Sequence, residues 1–299
     1  MNTKWLRNAN ITTRVAVMLI LLQGVLYGLG EPVSKAVFAV MPVYSMISIR
    51  YVVALIVLML CFGREIVDGY KKCSVRDWLP PSLCMGFTCL FNNMALELTT
   101  ATTISFLRSL STVITPLLAV ILLHRRYSWK HFPIQVFVVV GLYLMCGVGN
   151  ISGFGLGEVL GLVTALLTAG GLVYGKRALR RVEPIVLTAC QTAVSALIAA
   201  ICAVIFNGGW PLEVITPQVG GSILFLAVFC TIGGYFLQNA ALGKLPARTV
   251  ALLQCFCPVI TAVFARIILG ERLTVAGTIG AGIILFCVVA ETWLGREAD

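Results

Sequence analysis

Apolar residues along this chain gather into ten long blocks, at positions 15–38, 42–62, 79–97, 101–123, 133–149, 156–175, 184–206, 218–242, 247–269 and 273–294. Each is long enough, or nearly so, to cross a hydrocarbon layer of about 30 Å as a helix. Within a bilayer the backbone N–H and C=O groups need partners inside their own segment, so the blocks predict helices. The polar interruptions between them are short, the longest being Gly63 to Trp78. The pattern predicts an all-α, polytopic membrane protein with ten transmembrane helices and no separate extramembrane domain.

Composition agrees with that pattern. Of 299 residues, 59% are hydrophobic and only 11% charged, against about 25% charged in a soluble domain. A net charge of +10 raises the question of nucleic acid, but phosphate-binding residues cluster on one face or arm. Here they fall in short groups between apolar runs, so no nucleic-acid partner is expected. Most of the 11 cysteines lie inside apolar runs, as small apolar filler at helix contacts. No metal site, disulfide framework or cofactor is expected. The start of the chain, polar from Met1 to Arg14, leads into a first run too long for a signal-peptide core, which reads as a retained span.

Loop charge then predicts an orientation. Alternate loops carry Arg64, Lys71, Lys72 and Arg76; Arg125, Arg126 and Lys130; Lys176, Arg177, Arg180 and Arg181; and Lys244 and Arg248. The intervening loops lack Lys and Arg, apart from Arg272. The excess of positive loops marks the cytoplasmic side, placing both termini inside the cell membrane.

An internal similarity recurs at a shift of 146 residues. Val113–Thr115 repeats at Val259–Thr261, Asn92-Asn93-Met94-Ala95-Leu96 corresponds to Gln238-Asn239-Ala240-Ala241-Leu242, and Leu123–Arg126 to Leu269–Arg272. A shift of 142 sets Met41-Pro42 on Glu183-Pro184. These ungapped matches predict two repeats, residues 1–149 and 150–299. Five spans per repeat is an odd number, so the second repeat enters from the opposite side. Inverted repeats are the signature of alternating-access carriers, with the solute held near the midplane between the halves.

The stretch Ala247–Ala290, with Pro258, the Gly270-Glu271-Arg272 turn and a glycine-rich last helix, resembles the end of the drug/metabolite transporter superfamily in its ten-helix EamA-type branch. Gly157-Glu158 and Tyr27-Gly28 fit as well. The first half departs from the family pattern, with Thr112 where proline is frequent and His124-Arg125 in place of Gly-Glu. The resemblance covers nearly the whole chain. It implies transport of a small metabolite, an amino acid, a related organic solute or a drug-like compound, often by export, with spans 1, 3, 4, 6, 8 and 9 lining the cavity.

Ionisable and polar groups inside a membrane are costly and mark functional sites by default. At about 1.5 Å per residue, Glu31, Arg50, Asn92, Asn93 and Arg108 fall in the outer half of the membrane. Gln191, Gln238, Asn239 and Gln254 fall in the inner half. The repeat maps Arg108 onto Gln254 and Asn92-Asn93 onto Gln238-Asn239. Candidate substrate-binding residues are therefore Arg108, Asn92, Asn93, Gln238, Asn239, Gln254 and, on the cavity wall, Tyr27. Arg108 either attracts a substrate carboxylate or pairs with Glu31 or Glu97. Glu31, at a proline-broken turn, either carries a coupling proton or is the counter-ion of Arg50 or Lys35, the pairing being favoured; Arg50 is read as a structural ion pair. Arg266 is expected to reach the outer interface. Phe91, Tyr174 and Tyr235 are further candidate wall residues. Gly24/Gly28, Gly157/Gly161 and Gly171/Gly175, four apart, are expected to let helices approach closely.

An intramembrane enzyme would need a nucleophile with a base, a metal cluster or paired carboxylates. The two histidines, His124 and His131, lie in one cytoplasmic loop, and no P-loop or hydrolase pattern occurs. The sequence thus predicts a secondary transporter of a small solute. The alternative is a facilitative channel or uniporter, and the partners are the solute, lipid and, for a coupled carrier, protons.

Overall fold

The computed structural model describes residues 12–123, 132–146, 155–271 and 274–294. His124–Arg126, Lys130, His131, Arg272 and the segment 1–11 lie outside these residues. The described chain is helical with no strand. Its helices are α1 (Thr13–Phe38), α2 (Val43–Tyr70), α3 (Val75–Leu98), α4 (Ala101–Ser109), α5 (Ser111–Leu123), α6 (Phe132–Cys146), α7 (Leu156–Ala178), α8 (Pro184–Asn207), α9 (Pro217–Phe225), α10 (Gly234–Lys244), α11 (Ala247–Leu253), α12 (Phe256–Leu269) and α13 (Val275–Leu294). A π-helical stretch, Leu226–Gly233, joins α9 to α10.

Seven helices among the described residues are long and apolar enough to cross a membrane, counting Ala101–Leu122, Pro217–Lys244 and Ala247–Leu269 as continuous rods. Two shorter apolar helices lie at Phe132–Gly141 and Val275–Ala290. Large apolar side chains face outward, Leu60 at 81% and Phe286 at 74% exposure, while Ser45, Ser82, Thr164 and Gln191 are buried. An apolar exterior with polar groups buried among the core side chains suits a lipid surround. The chain is a multi-pass membrane protein.

Sequence explains most boundaries. Thr12, Thr100 and Thr216 cap helices through their hydroxyls, and Pro184 and Pro217 sit at first-turn positions that need no donor. Gly208 and Gly270 end helices with φ of 68° and 70°, a left-handed conformation that a side chain disfavours. The expected loop Gly63–Trp78 is mostly helical. α2 passes a non-helical Phe62 (φ −131°, ψ 16°) and continues to Tyr70, with Ile66 in a buried cluster that includes Val182 and Val186. Tertiary burial here overrides a polar sequence.

Two rods are broken within two residues of positions related by the 146-residue shift. The break between α4 and α5 follows Arg108 and Ser109, and that between α11 and α12 falls at Gln254 and Cys255. Pro258 cannot donate to the Gln254 carbonyl, which takes the Cys257 N–H at 2.9 Å instead. In the first half the Ser109 and Thr115 hydroxyls donate to the Ser105 and Ser111 carbonyls, back-bonding that bends a helix.

Packing joins residues 1–149 to residues 150–299 throughout. α3 lies against α7 and α8, α2 against α8, α1 against α12 and α10, and α6 against α13. Gly28 permits the α1–α12 approach, since a Cβ there would stand 2.6 Å from Ile260 Cγ2. Gly161 does the same for α7, where a Cβ would stand 2.6 Å from Leu107. The contacts define two ends of the bundle. At one, Glu271 meets Lys35, Ala101 and Thr102, and Glu158 meets Thr99. At the other, Arg181 meets Asp77, and Lys176 donates to the Leu242 carbonyl.

Candidate functional site

The helix rotations leave polar stripes facing inward. On α1, Gln23, Tyr27 and Glu31 recur every fourth residue, followed by Ser34; on α3, Met85, Thr88, Cys89, Asn92, Asn93 and Leu96 keep the same period. Both stripes line one cavity of about 90 Å³, one face of a helix repeating every three to four residues. Arg50 and Tyr51 of α2, Arg108 of α4 and Thr168 of α7 complete one part of its wall. Cys230 of the π-helical stretch, Tyr235 and Gln238 of α10, Gln254 and Cys257 complete the rest. Seven residues separate Glu31 from Phe38, Arg50 from Val43 and Arg108 from Ala101. All three therefore lie about 10 Å from the Glu271 end.

Glu31 and Arg108 form an ion pair at 2.7 Å. Thr261 donates to the other Glu31 oxygen at 3.3 Å and shares a 3.1 Å hydrogen bond with Ser105. A second Arg108 nitrogen donates to Cys257 Sγ at 3.1 Å, and its guanidinium lies 5.6 Å from the Tyr27 ring centre. Both charges are thus satisfied inside the protein. Pairing of Glu31 with Arg50 or Lys35 does not occur. Close α1–α12 packing turns Glu31 toward Thr261 and α4, away from α2. Lys35 instead sits 3.8 Å from Glu271 and donates to the Thr99 carbonyl.

Arg50 is not the structural ion pair expected of it. Its Nε donates to Thr231 Oγ1 at 2.8 Å, and its guanidinium lies 5.6 Å from the Tyr51 ring centre. No carboxylate among the described residues pairs with it. Thr231 belongs to the π-helical stretch and donates its own proton to the Leu226 carbonyl, five residues back. Single π-helical turns inside α-helices are frequent at functional sites. Tyr51 and Tyr235 join hydroxyls at 2.8 Å beside this arginine.

Toward the Arg181 end, Gln254 donates to Gln238 at 2.9 Å and to Gln23 at 3.3 Å, and Gln23 donates to Gln238 at 3.4 Å. Asn239 does not reach the cavity; its amide donates to Gln191 at 2.8 Å and Thr188 at 3.0 Å. Asn93 spends its amide on the Cys89 carbonyl one turn back. Asn92 Oδ1, Thr88 Oγ1 and Thr168 Oγ1 are buried, line the cavity or belong to residues that do, and have no partner among the described residues.

The model of the EamA-like transporter family matches residues 14–147 and residues 155–290. The chain belongs to that family. An uncharacterized transporter of Archaeoglobus fulgidus is 25% identical over 269 residues, covering 90% of this chain and 82% of its own length. A second from the same organism is 28% identical over 68% of this chain and 72% of its own. An uncharacterized transporter of Bacillus subtilis is 29% identical over 53% of this chain and 54% of its own. A crystal structure of a protein with 16% identity superposes with a TM-score of 0.76 over 95% of this chain and 98% of that one, a likeness of fold. The family and these relatives mark the chain as a membrane transporter.

Among the expected site residues, Arg108, Asn92, Asn93, Gln238, Gln254, Tyr27, Glu31 and Arg50 meet in the one cavity, and Asn239 lies outside it. Tyr235 joins the wall, whereas Phe87 and Phe91 stack on each other and, like Tyr174, do not. Gln23, Ser34, Tyr51, Thr88 and Thr168 line the cavity without having been singled out by sequence. The four-residue recurrence Gln23–Tyr27–Glu31 was the signal that could have found Gln23. Arg266 is exposed.

Proposed function

We propose that this transporter is a secondary carrier that moves a small organic solute of about amino-acid size by alternating access. Ten spans would form two inverted repeats, 1–149 and 150–299, with both termini cytoplasmic and export as the direction. The observation that carries the reading is a single polar cavity built from both repeats, with Glu31, Arg50 and Arg108 from the first and Gln238 and Gln254 from the second. Inverted-repeat carriers place their solute at such an interface. The family match in two consecutive stretches and the paired rod breaks beside Arg108 and Gln254 support the repeat. The gathering of Lys71, Lys72, Lys176, Arg177, Arg181 and Lys244 at the Arg181 end supports its cytoplasmic placement.

Contacts across the Glu271 end support a carrier over an open channel. Glu271 accepts from Ala101 N–H at 3.1 Å and from the Thr102 hydroxyl at 2.8 Å while pairing with Lys35. A carboxylate at a helix N-terminus is favoured by the unpaired N–H groups there. This contact ties α12 to α4 and α1, and opening that end would break it.

The test is flux of a solute panel in proteoliposomes, joined to side-specific thiol labelling. Cys257 should react with a membrane-impermeant maleimide from one face at rest and from the other when a transported solute is supplied. Simultaneous reaction from both faces would mean a channel, and an absence of solute flux across the panel would remove the carrier reading.

A further inference from the structure

The cavity lining holds one carboxyl group, Glu31, and two guanidinium groups, Arg50 and Arg108. Two cancel as an ion pair at 2.7 Å. One positive charge is left over, and it belongs to Arg50. A guanidinium carries five N–H donors in a planar fork. Here Nε is spent on Thr231, and neither terminal nitrogen makes a hydrogen bond among the described residues. The edge that can grip two oxygens at once is therefore open, on a side chain that lines the cavity.

That edge is held in place. Thr231 fixes Nε from the π-helical stretch, its own proton committed to Leu226, while the Tyr51 ring lies against the guanidinium and is anchored through Tyr235. Buried polar atoms without partners are rare in folded proteins and call for an explanation. Thr88 Oγ1, Asn92 Oδ1 and Thr168 Oγ1 are three on the same cavity. Asn92 stands six residues from Leu98, about 9 Å from the Glu271 end and so level with Arg50.

We propose that Arg50 is the anion subsite of this transporter, and that its substrates are small organic solutes bearing a single carboxylate. The carboxylate lies bidentate on the two terminal nitrogens of Arg50, and the polar part of the solute bonds Asn92, Thr88 and Thr168. Planar carboxylates match the guanidinium fork, and one such group neutralises the one surplus charge. A dianion would leave a negative charge uncompensated in a low-dielectric cavity. Arg108, the arginine that sequence singles out for this role, is already neutralised.

This inference rests on the carrier reading, but its first test is binding alone. The purified full chain in detergent is heated with acetate, lactate, benzoate, alanine or phenylalanine, each against its amide, and with chloride. At least one acid should raise the melting temperature while its amide and chloride do not. Arg50→Gln should weaken that acid's binding about ten- to hundredfold, as expected for loss of a bidentate charge-assisted pair, and Arg50→Lys should restore it only in part. Thr231→Val is the milder variant and should weaken binding severalfold with the fold intact. Equal stabilisation by acid and amide, or by chloride, or binding unchanged in Arg50→Gln, would overturn the subsite, as would no shift from any acid. Proteoliposome flux of the same compounds separates the two readings. Amides carried as fast as acids would keep the carrier and remove the subsite. Arg50-dependent binding without flux would keep the subsite and remove the carrier.

Discussion

Two arginines at the same depth in one cavity have opposite surroundings. Arg108 is closed off by Glu31 at 2.7 Å and by Cys257; Arg50 is fixed through one nitrogen and otherwise open. The difference comes from the helices that face them. α4 looks across at α1 and α12, which supply a carboxylate and a thiol. α2 looks at the π-helical stretch, which supplies a hydroxyl to Arg50 and no carboxylate. An intramembrane charge is therefore not a site in itself, and its neighbours decide whether it holds the fold or awaits a ligand.

Breaking the Arg108 side should have the largest effect. Glu31→Gln strands a guanidinium that cannot deprotonate, and should cost about 3–5 kcal/mol of stability, as for other broken buried pairs. Arg108→Gln should cost less, since a stranded carboxylate can take up a proton. The double variant should regain most of the loss. Thermal denaturation of the four proteins in detergent measures this, and a fully additive double variant would mean that the pair does not exist. On the other side Arg50→Gln should leave stability unchanged or raised, because it removes a charge that has no counter-ion among the described residues. A loss matching that of Glu31→Gln would erase the contrast.

Next comes the contact that brings Glu31 to Arg108. Gly28→Ala places a methyl 2.6 Å from Ile260 and should cost about 1–3 kcal/mol by overpacking. Ile260→Ala in the same chain should recover part of it, read as folded yield and melting temperature. Glu271→Gln should be milder, about 1 kcal/mol for a weakened cap and lost pair, with faster thiol labelling of Cys257 from the Glu271 end. Labelling unchanged there would mean that Glu271 does not hold that end shut. Smallest of all, Thr231→Val removes the hydroxyl's bonds to Arg50 and the Leu226 carbonyl, each worth about 1 kcal/mol, and should raise the apparent KM for a carried acid with only a small change in melting temperature.

Much of the architecture was legible along the chain. The apolar blocks mark where the helices run, because a hydrocarbon layer fixes both their length and their internal hydrogen bonding. The block boundaries agree with the helices within a few residues, except at α2, whose tail is polar in sequence and held by Val182 and Val186. The cavity was partly legible too, since polar groups inside such blocks are few, and all but Asn239 of those chosen gather in it. Their partnerships were not legible. Whether Glu31 meets Arg50, Lys35 or Arg108 depends on how α1 is rotated against helices more than 200 residues away in the chain, as at Thr261, and Gly28 and Ile260 set that rotation through packing. Sequence by itself determined where the helices run and the stock of charges, which are local properties of the chain. Only the tertiary structure decided that Arg108 is neutralised and Arg50 left open, because ion pairing is a matter of ångströms between segments that the sequence keeps far apart.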